Sequence, residues 1–218
     1  MISVIIPAYK ATKYIDECLA SIKGECEILI GVDGCEETYN HVKHLDNVYY
    51  FTKNVGPFVI KNTLIDIAKG DVIIFFDADD VMADGLLAEI EKNIEHVDYI
   101  PLKYVNFTGV VNKAGQMMSD AVIAIKKDVF NKLNGFYPWR CGADTEFGYR
   151  LKHNNLKKIN LQKPSYYRRL HGENLTMRKD TGYGSSIREH YTSVISKNIR
   201  SGNWPNPQTK TIEEYVKN

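Results

Sequence analysis

The sequence lacks the features that would place the chain in a membrane or an oxidising compartment. Its longest strongly apolar run, residues 72–76, is far short of the roughly 18 residues that a bilayer crossing needs. The four cysteines form no Cys-x-x-Cys pair and no zinc-ligand spacing, and no basic segment near Met1 leads into an apolar signal region. We therefore expect a cytoplasmic protein with reduced thiols and no integral membrane segment.

Net charge is also small, but it is unevenly distributed along the chain. The formal charge of the whole chain is +1, yet residues 1–149 contain 14 Lys or Arg against 22 Asp or Glu. Residues 150–218 contain 14 against 5. This basic carboxyl-terminal section, which includes Tyr166, Tyr167, Arg168 and Arg169, is either a solvated surface or a contact for an anionic acceptor, an anionic membrane surface or nucleic acid.

Short β-branched runs alternate with segments of helical period in the first hundred residues, which is typical of β-α units around a mostly parallel sheet. Strands are predicted at residues 3–7, 27–33, 48–52 and 71–77, and helices at 11–23, 36–44 and 57–69. The strands alternate little between apolar and polar residues, as expected for a sheet covered on both faces. The pattern predicts a doubly wound nucleotide-binding half, with ligands at the carboxyl ends of the strands.

A more mixed pattern follows residue 83. Helices are predicted at 84–95, 127–133 and 144–153, and strands at 99–107 and 121–125. Beyond Pro164 come a strand-like run, a polar stretch at 171–186 and a helix to about residue 199, and the tail from Gly202 is predicted to be loosely ordered. We predict a single α/β domain over residues 1–218, with a nucleotide-binding half (1–100), a second half (101–200) and a tail (201–218).

The most informative motif is an apolar strand that ends in three carboxylates, Asp71-Val-Ile-Ile-Phe-Phe-Asp77-Ala78-Asp79-Asp80. Like charges clustered at the end of a buried strand repel one another and are costly unless something neutralises them. Oxygen ligands of this kind suit Mg²⁺ or Mn²⁺, which keep further coordination positions for phosphate oxygens. The motif is therefore either a divalent-cation site or an acidic turn that is merely solvated.

The same residues followed by Val81 also fit the Asp-x-Asp-x-Thr/Val pattern of haloacid dehalogenase-like phosphatases. In those enzymes the motif closes the first strand of the domain, and a Gly-Asp-x-x-x-Asp type motif follows later. Here it closes the fourth predicted strand and no such later motif is found in the sequence. The phosphatase is therefore the less favoured of two metal-dependent interpretations.

The amino-terminal half resembles the family-two glycosyltransferases of the GT-A fold. The matching segments are Ser3-Val-Ile-Ile-Pro7-Ala8-Tyr9, Gly31-Val-Asp33-Gly34, Asn54-Val-Gly56, Lys61-Asn62 and Ala68-Lys-Gly70-Asp71. The resemblance implies that the sugar donor contacts Pro7, Ala8, Tyr9, Asp33, Asn54, Gly56, Lys61, Asp77 and Ala78. Asp33 would bind the uracil or the ribose, and Lys61 stands where the family usually has Arg. Asp79 and Asp80 would hold Mn²⁺ or Mg²⁺.

The carboxyl half resembles bacterial polysaccharide-synthesising modules through Trp139-Arg-Cys-Gly-Ala143-Asp144-Thr-Glu146-Phe-Gly-Tyr-Arg150. By that resemblance Asp144 is the catalytic base, and Trp139 and Glu146 contact the acceptor, while Ala143 replaces a Glu of the family. The alternatives are a buried aromatic for Trp139 and an i, i+4 ion pair with Arg150 for Glu146. His171 falls where many of these enzymes carry a His that ligates the metal or touches the diphosphate.

Together the resemblances imply an inverting, metal-dependent enzyme that moves a sugar from a nucleotide diphosphate sugar, a UDP-sugar, to an acceptor hydroxyl. The implied acceptor is a glycan or a lipid-linked saccharide. Two alternatives stay open: the same chemistry on an anionic acceptor such as a modified DNA base, and a non-catalytic nucleotide-sugar-binding module, which the Ala143 departure favours.

Overall fold

The computed structural model describes residues 1–109, 111, 118–205, 207, 211 and 215–217 of the chain. Within these residues, strands and helices alternate regularly in the first half and follow a less regular order in the second. Among them, no helix combines the length and the apolar character that a bilayer crossing requires.

The first half alternates strands and helices as predicted. Its strands are β1 (Ile2–Ala8), β2 (Glu27–Asp33), β3 (Val48–Phe51) and β4 (Val72–Phe75), and its helices are α1 (Ile15–Ser21), α2 (Glu36–Val42) and α3 (Pro57–Ile67). The first helix is shorter than predicted, because residues 12–14 form a turn before it begins. α3 begins with Pro57, whose missing N–H costs no hydrogen bond in a first helical turn.

The second half is mixed, and its main elements also lie close to the predicted ones. It contains β5 (Val81–Met82), α4 (Leu86–Ile94), β6 (Tyr99–Phe107), β7 (Met118–Lys126), α5 (Lys127–Lys132), α6 (Ala143–His153), β8 (Tyr166–Arg169), α7 (Ser186–Ser201) and β9 (Tyr215–Lys217). α7 begins with a side-chain cap, because the Ser185 hydroxyl accepts a hydrogen bond from the Arg188 N–H.

The nine strands of the described chain belong to one sheet, in the order β5-β8-β6-β7-β4-β1-β2-β3-β9. β4, β1, β2 and β3 are parallel neighbours, as a nucleotide-binding half requires. β6 and β8 are also parallel, but the other neighbouring pairs are antiparallel. The predicted α/β class is therefore confirmed, with a mixed sheet in which the parallel pairing is concentrated in the first half.

Helices cover both faces of the parallel strands. On one face, Ile6 and Ile30 pack in an apolar cluster with residues of α1, α2 and α4. On the other face, Ile5 and Leu29 pack with residues of α3, α5 and α6. Because successive strand residues point to opposite faces, both sets must be apolar, which explains the absence of alternation in these strands.

Two short strands were not predicted, and one of them corrects the tail. β9 pairs antiparallel with β3, and the Tyr215 ring lies 5.5 Å from the Phe51 ring. The prediction of a loosely ordered tail is therefore wrong for residues 215–217. The other unpredicted strand, β5, pairs with β8 and brings that strand beside the acidic end of β4.

Candidate active site

A cleft of about 880 Å³ opens where β1, β2 and β4 end. Its strand-end wall carries Asp33, Asp77 and Asp79 at the strand ends, with Lys61 of α3 beside them, and its helix wall carries Asp144, Gly148, Tyr149 and Lys152 of α6. Most of the predicted site residues line this cleft: Pro7, Ala8, Tyr9, Asp33, Asn54, Gly56, Lys61, Asp77, Ala78, Asp79, Asp80, Asp144 and His171. Trp139 and Glu146 do not.

Asp33 is fixed by the loop that follows β3. Its two carboxylate oxygens accept hydrogen bonds from the backbone N–H groups of Val55 (2.6 Å) and Gly56 (3.0 Å). Burial raises the pKa of Asp33, and the two N–H donors act in the opposite direction. Gly34 allows this close approach, because a Cβ at its position would lie 2.3 Å from the Asn54 nitrogen. The carboxylate is therefore held rigidly at the cleft.

The side chain of Lys61 is buried, and its ammonium group lies at the cleft. Its side chain is 7% exposed, and the Nζ lies 5.5 Å from the centre of the Phe58 ring. The ammonium donates to Asp77 Oδ1 at 3.2 Å. An apolar stem with a paired charged head places one positive charge beside the acidic end of β4.

Asp79 lies at the centre of a polar network that reaches the chain after β8. Its Oδ2 is 2.8 Å from His171 Nε2 and accepts a hydrogen bond from Asn174 Nδ2 at 3.0 Å. The Asn174 Oδ1 in turn accepts from the His171 N–H at 2.7 Å, and the His171 ring stacks on Tyr14 at 4.8 Å. The imidazole and the carboxylate therefore meet in a geometry that Asn174 and Tyr14 both hold.

Arg169 contacts both Asp79 and Asp80, in the turn that follows β4. Its Nε donates to the Asp79 carbonyl at 3.0 Å, its backbone N–H donates to Asp80 Oδ1 at 2.9 Å, and its guanidinium pairs with Glu17. Asp80 is 4% exposed, and burial followed by the charges of Asp79 and Asp77 raises its pKa well above the usual range. Arg169 thus binds the carboxylate of Asp80 but only the backbone carbonyl of Asp79.

A divalent cation fits Asp79 and His171 better than it fits Asp80. Among the described residues, no group of three His, Cys, Asp or Glu side chains is arranged to hold a metal ion without help. Mg²⁺ and Mn²⁺ do not need such a cage, because they are commonly bound by one or two side chains together with substrate phosphates and water. The Asp79 carboxylate and the His171 imidazole, which meet at the cleft, are the two side chains that could hold such an ion.

Asp144 stands in the first turn of α6 and belongs to the helix wall. Gly142 precedes the helix with a φ of 79°, a left-handed conformation that suits glycine. The Asp144 Oδ1 accepts a hydrogen bond from the Thr145 N–H at 2.8 Å, and within the described residues no cation pairs with its carboxylate. Asp144 is therefore available to act as a proton acceptor in the cleft.

The prediction that Glu146 contacts the acceptor is corrected by its burial. Its side chain is fully buried, and both carboxylate oxygens accept from Arg150 Nε, at 2.8 and 2.9 Å. Arg150 also donates to the carbonyl oxygens of Leu133 and Gly135. Burial raises the pKa of Glu146 and Arg150 opposes this shift. The i, i+4 ion pair is the correct interpretation, and it anchors α6 to the chain after α5.

The Trp139 ring packs against α7 instead of lining the cleft. It stacks on the Tyr191 ring at 4.3 Å and on the Tyr137 ring at 4.7 Å. The aromatic surface on the helix wall is Tyr149, which is 36% exposed and stacks on Trp204 at 5.8 Å. The Trp139 ring is therefore not placed for the predicted contact with an acceptor in the cleft, whereas Tyr149 lines the cleft.

Burial also corrects part of the predicted contact surface for anionic partners. Tyr166, Tyr167 and Arg169 are at most 9% exposed, so they cannot contact a membrane or a nucleic acid. Arg168 lines the cleft and donates to Thr176 Oγ1 at 2.8 Å. The charge of Arg168 therefore faces the cleft, and the charge of Arg169 lies in the buried contacts beside it.

Several functional residues were missed because their partners lie far away in the sequence. Asn174 and Arg169 meet Asp79 across more than 85 residues, and the pairing of β8 with β5 and β6 brings them together. Arg140 lines the cleft and donates to the Asn54 carbonyl at 3.4 Å. Its charge also lowers the pKa of Asp33, although burial has the larger effect. Arg140 therefore belongs to the strand-end wall, although it comes from the segment before α6.

Two curated bacterial glycosyltransferases are similar to this chain in sequence. Poly(ribitol-phosphate) beta-N-acetylglucosaminyltransferase TarS of Staphylococcus aureus (strain Mu50) is 31% identical over 126 residues, covering 50% of this chain and 22% of that protein. Poly(ribitol-phosphate) beta-glucosyltransferase of Bacillus spizizenii is 31% identical over 127 residues, covering 50% of this chain and 20% of that protein. The chain thus spans about a fifth of the length of these relatives.

Two solved structures share the fold at lower identity. S. aureus TarS 1-349 in complex with UDP-GlcNAc has a TM-score of 0.61 at 22% identity, covering 79% of this chain and 59% of that chain. Mannosyltransferase PcManGT from Pyrobaculum calidifontis, in complex with GDP-Man and Mn²⁺, has a TM-score of 0.64 at 18% identity, covering 95% of this chain and 66% of that chain.

The family model described as Glycosyl transferase family 2 matches residues 3–156, which include all the predicted site residues except His171. This match and the GT-A-like fold confirm the predicted resemblance and argue against a haloacid dehalogenase-like phosphatase, in which the acidic motif would close the first strand. The chain belongs to glycosyltransferase family 2.

Proposed function

We propose that the protein is an inverting, metal-dependent enzyme that transfers a sugar from a nucleotide diphosphate sugar to an acceptor hydroxyl. The observation that carries the proposal is the presence in one cleft of the Asp79–His171 pair and of the Asp144 carboxylate, which forms no ion pair among the described residues. Sugar transfer needs these two parts, since the leaving diphosphate must be stabilised and the incoming hydroxyl must lose a proton.

The strand-end wall binds the donor. Asp33 presents a fixed carboxylate for the base or the ribose, and Pro7, Ala8 and Tyr9 line the same end of the cleft. Lys61 and Arg140 place positive charges near the carboxylates of Asp77 and Asp33, where a diphosphate adds negative charge. Polar and charged groups that are already fixed in place need little reorganisation when the substrate binds.

Asp79 and His171 would hold Mn²⁺ or Mg²⁺ between the protein and the diphosphate. A bound cation would supply positive charge that stabilises the leaving group. Asn174 restrains both side chains, because its amide contacts Asp79 Oδ2 and its carbonyl accepts from the His171 backbone. We keep Asp80 as a second candidate ligand, although its link to the Arg169 N–H gives it a separate structural task.

Asp144 acts as the base on the other side of the reaction. It accepts the proton of the acceptor hydroxyl as that oxygen attacks the anomeric carbon opposite the diphosphate, so the new bond forms with inversion. The Glu146–Arg150 pair holds α6 in place, and Asp144 therefore starts from a fixed backbone. The step needs no covalent intermediate and no cysteine or serine nucleophile.

The donor is proposed to be a UDP-sugar, and the acceptor to be a saccharide that is part of a glycan or is linked to a lipid, in the cytoplasm. The support for uridine is the fold shared with TarS 1-349 in complex with UDP-GlcNAc. PcManGT, in complex with GDP-Man and Mn²⁺, supports the proposal of a bound metal and makes a guanosine donor the competing choice.

A panel of UDP- and GDP-sugars tested with Mn²⁺ examines the proposal before the acceptor is known. Selective binding raises apparent stability, by about 2.7 kcal/mol when the ligand is at 100 times its Kd. We expect one UDP-sugar to raise the melting temperature, and we expect slow release of UDP from that sugar in the absence of an acceptor. Binding without UDP release would favour the non-catalytic module, and no response to any nucleotide sugar would refute the proposal.

A further inference from the structure

Four residues of α1 and the position before it lie on one face of the helix. Glu17, Cys18 and Ser21 follow Tyr14, which directly precedes the first helical turn, by three, four and seven residues. Positions with this spacing are neighbours on a helix surface. All four side chains contact the segments that surround Asp79. This α1 face therefore adjoins the proposed metal site along its whole length.

The last two residues of the α1 face hold the backbone on both sides of the acidic turn. The Cys18 Sγ donates to the Asp77 carbonyl at 3.5 Å, and the Ser21 Oγ accepts a hydrogen bond from the Met82 N–H at 2.8 Å. Asp77 precedes Asp79 in the sequence and Met82 follows it. The turn that presents the Asp79 carboxylate is thus fixed to α1 at both of its ends.

The first two residues of the α1 face contact Arg169 and His171. The guanidinium carbon of Arg169 lies 4.9 Å from the centre of the Tyr14 ring and 4.5 Å from the centre of the Phe107 ring, and the guanidinium pairs with Glu17. The Tyr14 ring also stacks on the His171 imidazole at 4.8 Å, with 30° between the two planes. A planar cation that contacts two rings and a carboxylate has little freedom to rotate. Tyr14 therefore restrains both a candidate metal ligand and the arginine that contacts the acidic turn.

Core packing does not explain Tyr14 and Glu17. Ile15 and Cys18 are fully buried and pack α1 against the sheet, whereas Tyr14 is half-buried and the Glu17 side chain is 55% exposed. An acid this exposed gains little stability from an ion pair. The contacts with Arg169 therefore give these two side chains a role other than packing, and both can be replaced without opening a cavity in the core.

We propose that the α1 face positions the metal site: Tyr14 and Glu17 hold Arg169 and His171, so that the Asp79–His171 pair is in place before an ion binds. Tyr14 and Glu17 act through other residues, so they are positioning residues and not ligands. Loss of a residue that orients metal ligands commonly lowers metal affinity about 10- to 100-fold. This inference rests on the proposed function, because it concerns the ion proposed there.

The variant Tyr14→Leu tests the inference by metal binding. Mn²⁺ is titrated into the full chain with and without UDP, and the free ion is followed by electron paramagnetic resonance, with UDP alone as the blank. We expect the variant to bind Mn²⁺ about tenfold more weakly than the unaltered protein. Tyr14→Phe keeps the ring and should restore the original affinity. An unchanged affinity in Tyr14→Leu would overturn the inference, and so would equal losses in the leucine and phenylalanine variants.

Tyr39→Leu is the matched control that separates positioning from stability. Tyr39 is a half-buried residue of α2 that stacks on the Tyr50 ring at 4.5 Å, outside the cleft lining. Each leucine variant loses a stacked pair of rings, so both should melt at a lower temperature in the absence of metal. Only Tyr14→Leu should bind Mn²⁺ more weakly. Equal losses of Mn²⁺ affinity would show a general loosening of the fold and would refute a positioning role.

Glu17→Ala examines the ion pair of the same face. We expect a smaller loss of Mn²⁺ affinity than in Tyr14→Leu, because Arg169 keeps its contacts with the rings. Asp16→Ala is the matched control, since it removes the same charge from the neighbouring exposed acid, whose carboxylate contacts His41 Nε2 at 3.0 Å. If both alanine variants lost the same affinity, the charge of α1 would be acting on the ion, and the ion pair would have no positioning role.

The unaltered protein distinguishes a failure of this inference from a failure of the proposed function. If it binds Mn²⁺ and Tyr14→Leu binds the ion equally well, only the positioning role is refuted. If the unaltered protein binds no Mn²⁺, with or without UDP, the metal of the proposed function is refuted and the positioning role with it.

Discussion

The strand-end wall and the helix wall of the cleft are built in different ways. Asp33, Lys61 and Asp79 each have named partners that fix them. The strands whose ends carry Asp33 and Asp79 are packed on both faces. On the helix wall, Tyr149 and Lys152 are exposed and Gly148 has no side chain. One wall is preorganised and the other is open.

This difference matches what the two substrates require. A nucleotide diphosphate sugar has a constant part, and fixed dipoles and charges bind it without reorganisation. Acceptors vary more, so a surface with few fixed contacts and one proton acceptor can serve a long or repeating molecule. In the proposed reaction, Asp144 acts on the acceptor while the sugar is held by the strand-end wall. Variants of the strand-end wall should therefore weaken donor binding or departure of the diphosphate, and variants of the helix wall should affect the acceptor.

The largest effect is expected for Asp144→Asn. The substitution keeps the size of the side chain and removes the base, so kcat should fall about 10²- to 10⁴-fold while donor binding is retained. Single-turnover rates and donor affinity from thermal shift measure the two quantities. A variant that transfers sugar at the original rate would remove Asp144 from the role of base.

Glu146→Gln is a useful contrast, because the two acids are two residues apart and only one of them faces the cleft. This variant leaves the buried Arg150 charge without its partner, and breaking a buried pair costs about 3–5 kcal/mol. We expect a large loss of unfolding free energy, measured by denaturant titration. Asp144→Asn should show almost none of this loss, since the Asp144 carboxylate has no cationic partner in the described chain.

The next effect in size belongs to Asp79→Asn. Loss of the ligand charge should lower the transfer rate about 10²- to 10³-fold, as when one transition-state stabiliser is removed. With the unaltered protein, a chelator should abolish transfer and Mn²⁺ or Mg²⁺ should restore it. Undiminished activity in excess chelator would contradict a metal at this position.

Asp80→Asn separates the two candidate ligands at the end of β4. The amide oxygen can still accept from the Arg169 N–H, while the buried charge disappears. We therefore expect a clearly smaller loss of activity than in Asp79→Asn. An equal or larger loss would assign the metal to Asp80 as well.

A smaller effect is expected for Arg140→Ala. Arg140 precedes α6 in the chain, yet its guanidinium donates to Asn54 and its charge acts on Asp33. Loss of a charged contact to the donor should raise the donor KM about tenfold, with a smaller change in the acceptor KM. Arg200→Ala removes an exposed charge outside the cleft lining and should leave both KM values unchanged.

The two walls also differ in how well the sequence predicts them. Residues 3–7 and 27–33 were recognised because apolar residues must face both layers of helices, and that requirement is local and periodic. Once the strands are located, the positions of Asp33, Asp77 and Asp79 at or just after strand ends can also be read from the sequence. Glu146 and Arg150 were interpretable as an ion pair, because four residues make one helical turn.

The errors arise where contacts depend on distant parts of the chain. Trp139 stacks on Tyr191 of α7, 52 positions away, and the sequence near Trp139 does not predict that contact. β9 pairs with β3 across more than 160 residues, so local composition suggested only a loose tail. The roles of Asn174 and Arg169 likewise depend on where β8 is placed. Sequence patterns predicted most of the elements and the parallel sheet of the first half, but not the contacts between segments that are distant in the chain.

The smallest effect, and the one that best separates stability from function on the helix wall, is expected for Gly148→Ala. Alanine in a helix interior is more stable than glycine by about 0.5–1 kcal/mol. Apart from its own helix backbone and its chain neighbours, the added Cβ meets no heavy atom of the described residues within 4 Å, so the melting temperature should rise slightly. The same methyl group narrows the cleft beside α6, so the acceptor KM should rise while the donor KM stays constant. Ser193→Ala on the exposed side of α7 is the control for helix stabilisation alone. An unchanged acceptor KM in the stabilised Gly148 variant would show that the acceptor does not cross α6 at this position.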